Sequence, residues 1–302
     1  NFSADAKRHW QILAKGLNFY GELRNQPLTL AGELALEQPV TGLLQLKTPG
    51  LTLKHGPNQL QMNGALAEQL TLDAKLHIAD LSYSLALAEG QIDGSVQLRG
   101  DTQQPDVQLN LNARNINYLD DYALTELTAS AHLPALGTKT SQISLNLQNG
   151  QAPGWQLQQL DWQSEGTVSQ HQTHLTLDSH QLKAVLAMQA GMKNQRWQAS
   201  VEEFRLQSDM GDWQLQQPWQ VRLDLGKQQA ELGAACWQQA DGTIWLSQTP
   251  ALSLQRGEVA VSLQLLPLSS LDPLLPGKFS LEGDASGQLA LSWLQGRLDA
   301  LR

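Results

Sequence analysis

Apolar and polar residues alternate along most of this chain, and that alternation limits the fold more than any other feature. Successive side chains of a β-strand point to opposite faces, so alternate leucines give a strand one apolar and one polar face. The intervening residues are mainly Gln, Asn, Ser, Thr, Asp and Lys, which suit a face in water. The pattern predicts an all-β, antiparallel-rich protein of about 20 strands. The clearest runs are Leu70 to Ile78, Val107 to Leu111, Ile143 to Leu147, Val221 to Leu225, and Val259 to Leu263.

Glycine-containing dipeptides between these runs predict tight turns of antiparallel hairpins. They are Asn63-Gly64, Glu89-Gly90, Asp93-Gly94, Asn149-Gly150, Pro153-Gly154, Asp241-Gly242 and Pro276-Gly277. Only two segments resemble helices. Ser3 to Ala14 could start a helix but keeps strand parity, and we interpret it as a strand. Leu265 to Pro276 contains three prolines and predicts an irregular loop or a short helical turn.

Half-apolar strands in this number can form a sandwich, a barrel, or a long curved sheet whose apolar face lines a groove. Sandwich and barrel cores usually contain many β-branched residues. This chain has 57 Leu but only 15 Val and Ile together, which favours the groove. Trp10 to Phe19 matches Leu109 to Tyr118 in residue class, which indicates a repeated strand unit. We therefore predict one elongated sheet segment over residues 1–302.

Charge and hydropathy exclude several classes of protein. A net charge of -9 repels phosphate backbones, so we expect no nucleic acid partner. No apolar run reaches the roughly 18 to 20 residues that span a bilayer. The chain begins at Asn1 without an initiator Met, and we expect it to be a fragment of a larger protein with its membrane segment elsewhere.

The sequence contains no pattern that carries catalysis. It has no nucleophile elbow, P-loop or dinucleotide-binding glycine motif. His171 and His174 are the closest histidine pair, and on a strand they point to opposite faces. We therefore predict that the protein is not an enzyme and has no metal site and no cofactor. The lone Cys236 predicts a free thiol. Six tryptophans offer the alternative of a sugar-binding platform: Trp155, Trp162, Trp213, Trp219, Trp237 and Trp245.

Strand parity selects the residues that would line an apolar groove. They are Leu70, Leu72, Leu76, Ile78, Leu85, Leu87, Val96, Leu98, Val107, Leu109, Leu111, Leu145, Leu147, Leu175, Leu177, Leu223, Leu225, Val259, Val261, Leu289 and Leu291. Each could equally belong to an ordinary core, because a sandwich produces the same stripe.

Several segments resemble the periplasmic region of the TamB family, within the wider AsmA-like group. The resemblance rests on Gly94 to Gly100 (GSVQLRG), Pro105 to Leu109 (PDVQL), the two matching decapeptides, Cys236-Trp237, and Leu271 to Gly283 (LDPLLPGKFSLEG) leading into Gly287 to Trp293. The similarity is sharpest from Cys236 onward. In the family a second cysteine often follows the Cys-Trp pair; here Trp245-Leu246 occupies that neighbourhood, which puts a disulfide in doubt.

The resemblance implies a β-taco, a sheet folded into a U with an apolar trough. The parent protein would be anchored in the inner membrane of a Gram-negative bacterium, with this region in the periplasm. Its outer-membrane barrel partner, TamA, would meet a C-terminal end that lies outside this fragment. The implied function is a conduit that shields phospholipid acyl chains between the two membranes and supports assembly of autotransporters and other outer-membrane proteins. A chaperone-like trough for unfolded outer-membrane strands and a sugar-binding β-sandwich remain as alternatives.

Overall fold

A computed structural model describes residues 2–4, 9–240, 242–249, 251–274, 280–295 and 297–301. Within these ranges the chain forms twenty-two β-strands and three short 3₁₀ turns, and it contains no α-helix. Its internal contacts divide it into two compact units, Asn1–Gln156 and Leu157–Arg302.

The first unit contains ten strands. They are β1 (Phe2–Ala4), β2 (Trp10–Leu23), β3 (Gln26–Gln38), β4 (Gln45–His55), β5 (Asn58–Leu66), β6 (Gln69–Ile78), β7 (Ala88–Asp101), β8 (Asp106–Tyr118), β9 (Tyr122–Leu133) and β10 (Ser141–Ala152). The 3₁₀ turns Leu81–Tyr83 and Pro134–Gly137 lie between strands. Each strand pairs antiparallel with the next, which gives a simple meander.

The register of this meander gives it one continuous apolar face. Partners directly opposite each other in an antiparallel pair share a face. Leu72 lies opposite Leu98, Leu98 opposite Val107, and Val107 opposite Leu133. The same relation extends across the meander to β2 and β10, so one face is mainly leucine and the other is mainly polar.

Strands β2 to β5 each contain a glycine near the place where the pairing register shifts, and these glycines allow the irregularity. Gly32 and Gly64 have φ values of 139° and 112°, a region in which residues with a side chain are strained. A Cβ on Gly64 would also collide with the backbone of Thr71 on β6. The register shifts between Thr48 and Leu51, so that leucines on both sides of the shift keep to the apolar face.

The second unit contains twelve strands. They are β11 (Trp155–Thr167), β12 (Gln170–Ser179), β13 (Leu182–Lys193), β14 (Arg196–Ser208), β15 (Gly211–Leu215), β16 (Trp219–Asp224), β17 (Gln229–Leu232), β18 (Ala235–Gln239), β19 (Gly242–Leu246), β20 (Arg256–Pro267), β21 (Asp284–Leu294) and β22 (Arg297–Leu301). Strands β11 to β14 form a meander. The third 3₁₀ turn, Leu268–Leu274, follows β20.

The sheet of the second unit forks at β14. The residues from Arg205 to Ser208 pair with β15, while those from Arg196 to Val201 pair with β16. One branch continues through β15, β18, β19, β20, β21 and β22, and the other through β17. The segment after β19 rejoins the second branch, because Thr249 N donates to Leu232 O and Leu252 pairs with Ala230.

A packed cluster fills the space at this fork. Val201, Leu215, Ala235 and Leu246 are all buried there. Trp219 packs against the cluster and donates its Nε1 hydrogen to Gly233 O at 3.0 Å. The apolar face of the second unit is therefore locally sealed at the fork.

The predicted fold class, an all-β antiparallel sheet with an apolar face, is confirmed in each unit. The prediction of one continuous segment over residues 1–302 stays a prediction. The segment Ser3 to Ala14 was interpreted as a strand. Ser3 and Ala4 do belong to β1, and Trp10 to Ala14 belong to β2. Leu265 to Pro267 belong to β20 and the 3₁₀ turn follows, while Pro276 lies outside the described residues.

Most of the predicted glycine turns were wrong. Asn63-Gly64, Glu89-Gly90, Asp93-Gly94 and Asn149-Gly150 lie inside strands. The strands are longer than the alternation indicated, because glycine there accommodates bulges and close backbone approach instead of chain reversal. Pro153-Gly154 does form a turn. Asp241 and Pro276-Gly277 lie outside the described residues, and Gly242 begins β19.

Candidate functional site

The apolar face of the first unit brings together eleven of the predicted lining residues. They are Leu70, Leu72, Leu76 and Ile78 on β6, Val96 and Leu98 on β7, Val107, Leu109 and Leu111 on β8, and Leu145 and Leu147 on β10. Antiparallel pairing puts them on four strands of one sheet, with β9 between β8 and β10. Together they form one continuous apolar surface.

This surface is lined with aliphatic side chains but is not filled like a protein core. In the described part of the first unit only Leu51, Leu70, Leu72, Ala88 and Ala113 are buried hydrophobic residues, each at 9% exposure or less. No large side chain among the residues described is below 2% exposure. Protein cores normally bury many large side chains completely. An extensive aliphatic face that the chain itself buries only partly is a feature of interaction surfaces.

The face also contains residues that the sequence prediction missed. They include Ile12, Phe19, Leu30, Leu36, Leu53, Leu60, Leu127 and Ile143. On β2 to β4 the register shifts interrupt the parity of the alternation. Leu127 and Ile143 lie in runs of unbroken alternation, and the sequence prediction did not include them. Once those shifts are known, strands β2 to β5 extend the lined surface.

Three predicted lining residues lie outside the strands. Leu85 and Leu87 belong to the link between β6 and β7, and Leu225 follows β16. All three are exposed, at 49%, 72% and 54%. Apolar and polar residues continue to alternate in the sequence beyond the ends of the strands, and this is why the parity rule selected these three residues.

The remaining predicted residues share the apolar face of the second unit. They are Leu175 and Leu177 on β12, Leu223 on β16, Val259 and Val261 on β20, and Leu289 and Leu291 on β21. Val259 and Val261 pack against the cluster at the fork. Leu289 and Leu291 are 46% and 36% exposed, so the face is open again on β21.

The opposite faces are polar and hold cross-strand ion pairs. In the first unit Arg99 donates to Asp73 at 2.6 Å, and His77 lies 2.6 Å from Asp93. In the second unit Asp224 accepts hydrogen bonds from Lys227 N and Arg196 Nε. The Lys227 hydrogen bond, followed by that from Arg196, lowers the pKa of Asp224 below its ordinary value. Such exposed pairs contribute little to stability but keep this face in water.

The six tryptophans proposed as a sugar platform do not share one surface. Trp162, Trp213, Trp219 and Trp237 lie on the apolar face of the second unit, and Trp219 and Trp237 meet edge to face at 5.7 Å. Trp245 lies opposite Cys236 on the other face, and Trp155 is exposed at the start of β11. Nothing in this arrangement presents a row of stacking rings.

Cys236 is buried, at 3% exposure, and burial raises the pKa of its thiol above the ordinary value. The thiolate is the reactive form, so alkylation by iodoacetamide at pH 8 is expected to be about tenfold or more slower in the folded protein than in urea. Thermal melting should be the same with and without reductant. Native alkylation as fast as in urea would show that the thiol is accessible and would contradict the burial.

The described residues contain no group of three or more His, Cys, Asp or Glu side chains arranged to hold a metal ion. Nor does any helix within the described ranges combine the length and hydropathy of a membrane span.

Two comparisons with known proteins point to the same family. A family model described as the N-terminal domain of TamB matches residues 1–301. The chain is similar to the translocation and assembly module subunit TamB of Haemophilus influenzae, with 22% identity over 287 residues. That match covers 94% of this chain but 22% of the relative, so the chain spans about a fifth of its length. No solved structure matches the chain. Because the family model extends over nearly every residue, the chain belongs to the TamB family, in the region of its N-terminal domain.

Proposed function

We propose that the chain is a non-catalytic segment of a conduit that shields phospholipid acyl chains from water as they pass between the inner and outer membranes. The observation that carries the proposal is the continuous aliphatic face of β2 to β10. A sheet face of this size is stable in water only if it is covered or if its exposure serves a ligand.

The composition of the face fits acyl chains. Leucine side chains change rotamer more freely than β-branched ones, so the lining can follow a mobile chain. Transferring a methylene from water to an apolar surface contributes about 0.8 kcal/mol, whatever the headgroup. Movement along the groove then exchanges equivalent contacts, and no strong site stops the lipid.

Membership of the TamB family supports the cellular location and the partner that we propose for this activity. We infer that the parent protein is anchored in the inner membrane, that this region lies in the periplasm, and that TamA is the outer-membrane partner. Support for the assembly of autotransporters and other outer-membrane proteins belongs to the same proposal. The name of the Haemophilus influenzae relative, a subunit of a translocation and assembly module, is consistent with that role.

A second candidate function is the reception of unfolded outer-membrane strands, and the outer edge of β2 favours it. Strand β1 pairs only with Trp10, Gln11 and Ile12. From Ala14 to Leu23, no strand in the described part of the chain pairs with that edge. An uncovered edge can accept a strand by backbone hydrogen bonds.

Native mass spectrometry of the purified chain separates these functions. We expect co-purified phospholipid, and we expect added phospholipid to displace a fluorescent fatty acid from the protein. A chain that carries no lipid but binds a peptide from an outer-membrane strand would favour the second candidate and contradict the conduit.

A further inference from the structure

A pair of hydroxyl groups interrupts the apolar face of the second unit. Ser164 on β11 and Thr173 on β12 lie directly opposite each other, and the next pair along the same face is Trp162 and Leu175. The Oγ of Ser164 and the Oγ1 of Thr173 are 3.0 Å apart, so one hydroxyl donates to the other. We call these two residues the hydroxyl pair. Thr173 is only 7% exposed, so it is largely removed from water.

The hydroxyl pair retains an unused hydrogen-bond donor. Two hydroxyls carry two hydrogens, and their mutual bond uses one of them. No other residue in the described part of the chain hydrogen-bonds to either side chain. On a face that is otherwise apolar, a donor without an acceptor is costly unless water or a ligand supplies the acceptor. The pair therefore marks a place where this face can bind an acceptor group of a ligand.

Buried polar residues elsewhere in the described ranges are mostly satisfied by the backbone. Six of the eight place a side-chain donor on a backbone oxygen, namely Thr48, His55, Asn58, Ser141, Ser179 and Thr249. Thr173, by contrast, bonds only to the side chain of Ser164 among the residues described. This difference separates the hydroxyl pair from polar residues that simply close a turn or a strand end.

The side chains of β12 change in character along the strand in the same order as the parts of a phospholipid. Leu177, Leu175, Thr173 and His171 point to one face, at intervals of about 7 Å. His171 is nearest to the turn between β11 and β12. Its Nδ1 donates to Thr167 O at 3.2 Å, and its Nε2 has no partner among the described residues. Aliphatic, hydroxyl and imidazole groups thus follow each other as acyl chain, ester and headgroup do.

We propose that the hydroxyl pair binds an ester carbonyl of a phospholipid, with the acyl chains over Leu175 and Leu177 and the headgroup beside His171. The inference rests on the proposed conduit and adds an orientation to it, with the polar end of the lipid toward the turn between β11 and β12. A carbonyl oxygen only accepts hydrogen bonds, which matches the free hydrogen of the pair. One neutral hydrogen bond orients a lipid without trapping it, because its net contribution in competition with water is modest.

A second hydroxyl pair, on the polar face of the first unit, provides a matched control. Ser130 on β9 and Ser144 on β10 lie opposite each other, with their Oγ atoms 2.8 Å apart. Both residues are exposed, so water can satisfy their unused donor. The control pair has the same chemistry as Ser164 and Thr173 but lacks the apolar surroundings.

The test compares two lipids that differ only in their ester carbonyls. Dioleoyl phosphatidylcholine has two of them, and its dialkyl ether analogue has none. An environment-sensitive fluorophore on Val168→Cys reports lipid at this end of the face, because residue 168 is exposed in the turn while Cys236 is buried. In the full 302-residue chain we expect the diester to bind about fivefold more tightly than the diether.

Two double variants of the labelled chain assign this difference to its cause. Ser164→Ala with Thr173→Val should make the two affinities equal, and Ser130→Ala with Ser144→Ala should keep the full difference. Replacing both partners of a hydrogen bond by apolar side chains of similar size costs little stability, so the circular dichroism spectra should be unchanged.

The comparison in the chain that retains the hydroxyl pair does not depend on the folding of either double variant. Equal affinities there would overturn the proposal, and so would a difference that survives the loss of the pair. Phospholipid that co-purifies in native mass spectrometry but never changes the fluorescence would show that lipid lies elsewhere in the groove, which rejects this inference and leaves the conduit. Absence of lipid by both readouts would instead contradict the conduit, and the inference with it.

Discussion

Replacement of Leu109 by aspartate in the full-length protein is expected to abolish lipid passage while leaving the sheet folded. Leu109 lies in mid-strand on β8, between Val96 and Ala131 on the apolar face. An unpaired carboxylate among aliphatic side chains costs several kcal/mol when an acyl chain covers it and excludes water. Lipid that co-purifies with the protein should fall at least about tenfold, and outer-membrane integrity should fail in cells that depend on the variant.

Gln108→Asp is the matched control, because residue 108 is the neighbouring position on the polar face, opposite Gln97 and His132. It introduces the same charge on the same strand, where water solvates it. Circular dichroism and expression should be unchanged in both variants. If both variants fold and lose lipid equally, the apolar face is not the lipid path.

The substitution Gly64→Ala is expected to lower the free energy of unfolding by about 3 kcal/mol or more. Gly64 has φ of 112°, and a Cβ there would collide with the backbone of Thr71, so the change strains β5 and forces β6 away. Urea denaturation followed by circular dichroism measures the effect.

Gly50→Ala is the control for that prediction, because Gly50 lies at the same level on β4 but a Cβ there meets nothing within 4 Å. Its φ also lies outside the positive region. We expect the stability of this variant to change by less than about 0.5 kcal/mol. A similar loss from both substitutions would show that the close approach of Gly64 to β6 is not the cause.

Alternation of residue type predicted the fold class because side-chain parity and hydrogen-bond register are linked. Wherever the alternation is unbroken, as from Leu70 to Ile78, the apolar residues share one face of the sheet. It failed where the backbone departs from regular geometry. The shift between Thr48 and Leu51 changes the parity of β4, and a single sequence does not show whether a glycine ends a strand or kinks it.

The fork of the second unit was hidden from the sequence for a different reason. Strand β14 divides its edge between two partners, and the packed cluster joins Val201 to Leu246, 45 positions further along the chain. Short strands such as β15 and β17 carry the same alternation in a forked sheet as in a simple one.

Site-specific photo-crosslinking in living cells tests the central claim most directly. A benzophenone amino acid at Leu98, on the apolar face of β7, should yield an adduct whose mass corresponds to the protein plus one phospholipid. The same group at Gln97, on the polar face, should yield none. Phospholipid adducts at Leu98 and not at Gln97 are the result that the conduit predicts. Adducts of Leu98 with protein alone, or equal lipid adducts at both positions, would contradict it.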